Sequence, residues 1–122
     1  MATGRLISII DDDPSQRAAL AGFVRSLGYD VRAFPSAEDF LESGELGQLA
    51  CVITDIHMPG MNGFELTQEL NLKFDSIPVI MITARTESSL EERAMSNGAT
   101  FFLRKPIEAD VLVCCIEKVL GE

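Results

Sequence analysis

Short apolar runs rich in β-branched residues alternate along this chain with longer stretches whose apolar positions recur at helical spacing. Leu6-Ile7-Ser8-Ile9-Ile10 reads as a first, buried strand. Asp13-Pro14-Ser15-Gln16 then starts a helix, with Asp13 as N-cap, Pro14 at the first helical position and Gln16 able to reach back to the cap. Leu20, Phe23, Val24 and Leu27 line one helical face until Gly28 stops it. Tyr29 to Phe34 predicts a second, weaker strand at a sheet edge. Pro35 ends that strand, and Ser36 caps a short helix from Ala37 to about Ser43 that turns Phe40 and Leu41 inward. Gly44 to Gln48 reads as loop and Leu49 to Thr54 as the third strand. Asn62 and Glu65 form a capping box for a third helix, Gly63 to about Lys73. A fourth strand spans Ile77 to Thr83. The polar segment Arg85 to Ser88 is expected to be mobile. A fourth helix, about Ser89 to Ser96, turns Leu90, Ala94 and Met95 inward and stops at Asn97-Gly98. This helix is the least apolar and is expected to be loosely held. Ala99 to Leu103 is the fifth strand. The last helix, Glu108 to Leu120, places Val111, Leu112, Cys115, Ile116 and Val119 on its core side.

Five strands alternating with five helices, the strands apolar on both faces, imply an α/β fold with a parallel sheet. Right-handed crossovers make it a doubly wound (βα)5 three-layer sandwich, in which ligands sit beyond the carboxyl ends of the strands. At 122 residues a single domain is expected over 1–122, with no output domain visible. The balance of 19 acidic against 10 basic residues, a net charge of −9, argues against this domain gripping nucleic acid or an anionic membrane directly. The 3 cysteines, Cys51, Cys114 and Cys115, sit in apolar runs and read as small core residues, without disulfide or zinc spacing. No secretory leader or membrane-spanning run is visible, so a cytoplasmic location is expected.

Placed on that scaffold, the polar residues collect on one rim. Asp11 and Asp12 follow the first strand, Asp55 the third, Thr83 ends the fourth and Lys105 follows the fifth. Clustered carboxylates repel one another and need cationic compensation. Lys105 supplies one charge, and an all-oxygen donor set of this kind selects Mg2+. Metal, ammonium and hydroxyl around a carboxylate suit phosphoryl transfer, with the carboxylate as nucleophile. Asp55, alone in its loop ahead of Met58-Pro59-Gly60, is the best nucleophile, and Asp11 and Asp12 are the better metal holders. Asp13 is accounted for by its capping role.

Asp11-Asp12, Asp55 with Met58-Pro59 and Asn62-Gly63, Thr83-Ala84 and Lys105-Pro106, in this order and spacing, resemble the receiver domain of bacterial two-component response regulators. The resemblance covers essentially the whole chain. It implies a flavodoxin-like fold with strand order 2-1-3-4-5. It makes Asp55 the phosphoacceptor, Asp12 a direct Mg2+ ligand, Asp11 a ligand largely through water, and the backbone carbonyl of His57 the third protein ligand. Thr83 is implied as the switch hydroxyl, Lys105 as the phosphate-pairing cation ahead of a cis bond to Pro106, Phe102 as the switch aromatic without a hydroxyl, and Ala84 as the small residue that leaves room for the phosphoryl donor. His57 and Arg85 hold positions that tune phosphoryl lifetime in the family, the alternative being that both face solvent. The implied partners are a sensor histidine kinase or phosphotransfer protein and an unnamed downstream protein, met on the face of the fourth helix, fifth strand and fifth helix. Whether phosphorylation causes homodimerisation is left open. On this reading the chain assists its own phosphorylation and dephosphorylation and is not a turnover enzyme. A small Mg2+-dependent phosphatase is the competing enzyme reading, but it wants an acid where His57 stands. A flavin carrier wants a Ser/Thr/Gly-rich cradle where Asp11-Asp12-Asp13 stands.

Overall fold

Strands with apolar side chains on both faces need cover on both faces, and the computed structural model provides it. Residues 5–44, 49–73 and 77–121 are described. The elements run β1 (Leu6–Ile10), α1 (Pro14–Ser26), β2 (Asp30–Phe34), α2 (Ala37–Glu42), β3 (Leu49–Asp55), α3 (Gly63–Lys73), β4 (Val79–Thr83), α4 (Ser89–Ser96), β5 (Phe101–Arg104) and α5 (Ala109–Leu120). The strands pair in parallel in the order β2-β1-β3-β4-β5. This is the expected doubly wound, flavodoxin-like sandwich, with β2 at an edge.

The pleat divides the core in two. Ile7, Ile9, Cys51, Ile53, Ile80 and Ile82 join α1 and α5 on one face through Ala21, Val24, Leu112 and Ile116. Ile10, Val52, Val79 and Met81 join α2, α3 and α4 on the other face through Phe40, Leu66, Leu70, Leu90 and Ala94. Helices α1 and α3 therefore leave the neighbouring strands β1 and β3 toward opposite faces. A crevice opens between them at the carboxyl ends of those strands.

Side-chain caps set several helix starts. Asp13 Oδ1 accepts from Ser15 N and Gln16 N at 2.9 and 3.1 Å. Ser36 Oγ accepts from Asp39 N at 3.0 Å. Asn62 and Glu65 exchange reciprocal bonds at 2.9 and 3.0 Å, the expected capping box. Helix α4 starts at Ser88 without a side-chain cap bond.

Several expectations are corrected. Gln16 does not reach back to the Asp13 cap: its side chain bonds Lys105, and Asp13 N–H donates instead to Asp11 Oδ1. Met95 is 48% exposed, because it lies about 140° around α4 from the buried Leu90. Val111 is 42% exposed, about 100° off the Leu112 direction. Cys114 is exposed on the side of α5 opposite Leu112, whereas Cys51 and Cys115 are buried as expected. Asp55 is the last residue of β3 rather than the first beyond it, β4 begins at Val79, and β5 is displaced to Phe101–Arg104. Most of the loop expected over 44–48 lies outside the described residues.

These faces give α4 a direct test. Leu90→Ala, at a fully buried position, is expected to cost about 2–5 kcal/mol in urea unfolding. Met95→Ala on the same helix is expected to stay within about 0.5 kcal/mol of the parent. Equal losses at the two positions would contradict this orientation of the helix.

Candidate functional site

Parallel strands end together, so the residues that close them share one rim. Asp11 follows β1 and is only 3% exposed. Its main chain is held by Asp11 N–H to Phe34 O at 3.2 Å and by Arg17 Nη1 donating to Asp11 O at 2.8 Å. Its Oδ1 accepts from Asp13 N at 2.9 Å. Asp55 closes β3, half-buried, with Oδ1 facing His57 N–H at 3.4 Å. Asp12 is exposed beside them. One carboxylate oxygen from each of Asp11, Asp12 and Asp55 lies within 4.8 Å of the others.

Lys105 answers that charge. The peptide bond Lys105–Pro106 is cis, as expected. Lys105 N–H donates to Thr83 O at 2.8 Å, which ties the end of β5 to the end of β4. Its ammonium lies 3.0 Å from Asp55 Oδ2 and 3.4 Å from Asp11 Oδ2, and also donates to Gln16. Burial alone would lower the lysine pKa, but the hydrogen bond and charge of Asp55, then those of Asp11, carry it above its ordinary value. Asp11 moves the other way for a carboxyl seeking ionisation. Burial pushes its pKa up, the Asp13 N–H and Lys105 offset only part of that, and the charge of Asp55 adds to the rise. Two carboxylate charges within 4.8 Å of each other repel by roughly 3 kcal/mol or more at an effective dielectric of about 20. A single ammonium shared between two of three acids leaves the cluster net negative. Its donors are all oxygens, with neither thiolate nor imidazole in the set. That composition fits a small hard divalent cation such as Mg2+.

The remaining expected residues surround this cluster. Thr83 is fully buried, and its Oγ1 accepts from Arg85 N at 3.0 Å. The His57 ring is half-buried, with Nδ1 3.4 Å from Thr83 Oγ1, so it faces the site rather than solvent. The Arg85 guanidinium is exposed and lies 3.8 Å from the Glu87 carboxylate. His57 and Arg85 nonetheless border one concavity of about 380 Å³. Ala84 is exposed. Phe102 is half-buried against the core on the α4 side of the sheet.

Four further residues bear on the site in ways that were not read from sequence. Gln16 bonds Lys105. Arg17 holds the Asp11 carbonyl. Both sit in the first turns of α1, which begins at the rim, so their distance from Asp13 was the available signal. Gly63 was read as the start of the third helix and part of the Asn62-Gly63 pair; a Cβ there would lie 2.8 Å from Asp55 O, so α3 packs directly on the Asp55 backbone. Arg104 donates to Arg85 O at 2.8 Å and Glu87 O at 3.1 Å, and its guanidinium carbon sits 5.0 Å from the Phe102 ring centroid. The segment after β4 is thereby fastened to β5. Nothing periodic in the sequence marks that bond.

Comparison with known proteins agrees with this geometry. The chain is 36% identical over 115 residues to the transcriptional regulatory protein FixJ of Azorhizobium caulinodans, covering 94% of this chain and 54% of that protein. It is 33% identical over 115 residues to the response regulator protein TodT of Pseudomonas putida, covering 94% and 51%. The chain thus spans about half the length of these curated relatives. Among solved structures, FixJ-N superposes with a TM-score of 0.86 at 32% identity, covering 97% of this chain and 94% of that one. A receiver domain protein from Clostridium thermocellum gives 0.90 at 25% identity, covering 96% and 94%. The family model of the response regulator receiver domain matches residues 7–117, and the chain belongs to that family of two-component signalling proteins.

Proposed function

We propose that this receiver domain accepts a phosphoryl group on Asp55 from a histidine kinase or phosphotransfer protein, with Mg2+ held by Asp11, Asp12, Asp55 and the His57 backbone carbonyl. The observation that carries this reading is the meeting of three carboxylates within 4.8 Å, two of them bridged by one lysine. Bound there, the metal would neutralise charge on the phosphoryl oxygens. The protein's own groups do the rest. An Asp55 carboxylate oxygen attacks phosphorus; the new O–P bond forms as the donor's bond to phosphorus breaks, and the donor leaves with that electron pair. Lys105, already 3.0 Å from Asp55, pairs with a phosphoryl oxygen. Thr83 Oγ1 accepts from Arg85 N–H and faces His57 Nδ1 at 3.4 Å, and its hydroxyl proton would turn to a second phosphoryl oxygen. The exposed Ala84 leaves the approach to the site open.

The switch follows from the same bonds. A Thr83 hydroxyl drawn toward the phosphoryl group shifts the segment that begins at Arg85. Arg104 carries that shift to Phe102 and so to the face formed by α4, β5 and α5, where a downstream protein or a second copy of the chain would bind. The acidic balance assigns any nucleic-acid contact to another part of such a protein. No helix among the described residues is long and apolar enough to cross a membrane. Three unpaired cysteines suit a reducing, cytoplasmic setting.

Asp55→Asn is expected to abolish labelling by acetyl phosphate in the presence of Mg2+, read as loss of the one-phosphoryl mass gain; full labelling of that variant would refute the assignment. Mg2+ alone is expected to raise the melting temperature. The stabilisation is about 2.7 kcal/mol at a hundredfold excess over Kd. Asp12→Asn should remove most of that gain, and an unchanged melting curve across the titration would exclude the metal site. The side-chain placements separate His57 from Arg85. His57→Ala, which uncovers Thr83, should change the decay rate of the aspartyl phosphate. Arg85→Ala, whose guanidinium faces Glu87 in solvent, should leave it near the parent value. Identical decay in all three proteins would remove His57 from the mechanism.

A further inference from the structure

Glu38 lies in the first turn of α2, two residues after the N-cap Ser36. Its carboxylate reaches across to the connection between β3 and α3. Oε2 accepts the backbone N–H of Met61 at 2.9 Å, spanning 23 residues of sequence. That bond holds its carboxyl below the ordinary glutamate pKa, with a smaller contribution from its own backbone N–H. Gly60 makes the approach feasible. Its φ is +76°, and a Cβ built there would lie 2.5 Å from Glu38 Oε2. The carboxylate occupies the space that any side chain at position 60 would need.

The connection in question carries the chemistry. It starts at Asp55 and includes His57, whose N–H faces the Asp55 carboxylate. Its two ends are fixed. Ile56 N–H donates to Ile82 O at 3.0 Å, Gly63 N–H donates to Ile56 O at 2.9 Å, and the Asn62–Glu65 box locks the entry to α3. Between those ends the backbone turns through the exposed Pro59 and Gly60, where no sheet or helix ladder holds it. Glu38 supplies a hold there from a separate element.

We infer that Glu38 is a positioning residue for the phosphoacceptor loop. By fixing Met61 it keeps the 57–61 backbone, and with it His57, in register with Asp55, so that the acidic rim is already arranged for its cation and phosphoryl donor. This inference rests on the phosphoacceptor reading above.

The test compares the parent, Glu38→Ala and Glu38→Gln. Magnesium chloride affinity is measured by calorimetry, labelling rate with acetyl phosphate, Met61 amide exchange without metal, and the melting temperature. Glu38→Ala is expected to weaken Mg2+ binding by about fivefold, the factor that one exposed hydrogen bond supplies, and to slow labelling similarly. Met61 exchange should speed up by a comparable factor. Glu38→Gln keeps an acceptor oxygen and is expected to restore most of each quantity. If Glu38→Ala lowers only the melting temperature, leaving Mg2+ affinity, labelling and Met61 exchange at parent values, Glu38 merely supports the start of α2 and the inference is overturned. A Gln variant as deficient as Ala overturns it too, because charge rather than the Met61 bond would then be responsible. A parent that neither binds Mg2+ nor takes label removes the phosphoacceptor reading instead, and Met61 exchange still decides whether Glu38 holds the loop.

Discussion

One ammonium group shared by two carboxylates is the interaction around which the rim of this domain is arranged. A parallel sheet delivers the ends of β1, β3 and β5 to the same edge, so Asp11, Asp55 and Lys105 meet although 94 residues separate the first from the last. Repulsion between Asp11 and Asp55 is offset by Lys105 at 3.4 and 3.0 Å. Other bonds keep those three groups in place. Asp13 and Arg17 hold Asp11, and Gln16 holds Lys105. The Lys105 N–H bond to Thr83 O joins the last two strands beneath them. The first turn of α1 thus serves both as the start of a helix and as one wall of the site.

The opposite wall is built from backbone. Thr83 bonds Arg85 N, and Arg104 grips the Arg85 and Glu87 carbonyls while lying over Phe102. Phe102 has no hydroxyl with which to report on its surroundings. Its connection to the rim runs through the neighbouring guanidinium, which is both a donor to the 85–87 backbone and a cation over the ring. On the proposed switch, a displacement at Thr83 would reach Phe102 through Arg85 and Arg104. The α4 that follows is short and starts without a side-chain cap bond, but it is anchored in the core by Leu90 and Ala94.

Burial periodicity made most of the fold legible in the sequence. All five strands and five helices were placed within a few residues, because apolar positions repeat with the pleat or the helical turn. The exceptions lie where an apolar residue falls off the buried stripe, as at Met95, Val111 and Cys114. Side-chain identity alone does not mark that offset. The rim acids and Lys105 were legible because strand ends in a parallel sheet must coincide. Glu38, Arg17 and Arg104 were not, since a side chain bonded to a distant carbonyl or N–H leaves no repeat to read. Gln16 shows the same blindness in reverse. Its position matched a local capping pattern, yet a lysine 89 residues away took the side chain.

Stability arguments alone would not retain this cluster. A carboxyl whose pKa rises on folding is one whose ionised form opposes the fold. That penalty is absent below the unfolded-state pKa and complete above the folded one. Burial places Asp11 in this class, so at neutral pH its charge works against the native state. Lys105, with its pKa raised, contributes in the opposite sense, and its contribution is lost only as pH climbs through its folded value. The ammonium is divided between Asp11, Asp55 and Gln16, while Asp12 adds a third negative charge beside them. Among the described residues buried to this degree Asp11 is the one carboxylate, the other polar ones being the hydroxyl residues Ser8, Thr54, Thr67 and Thr83. A buried carboxylate at the rim where the strand ends meet is what the proposed cation site would account for, since a divalent cation bound there would relieve all three acids at once.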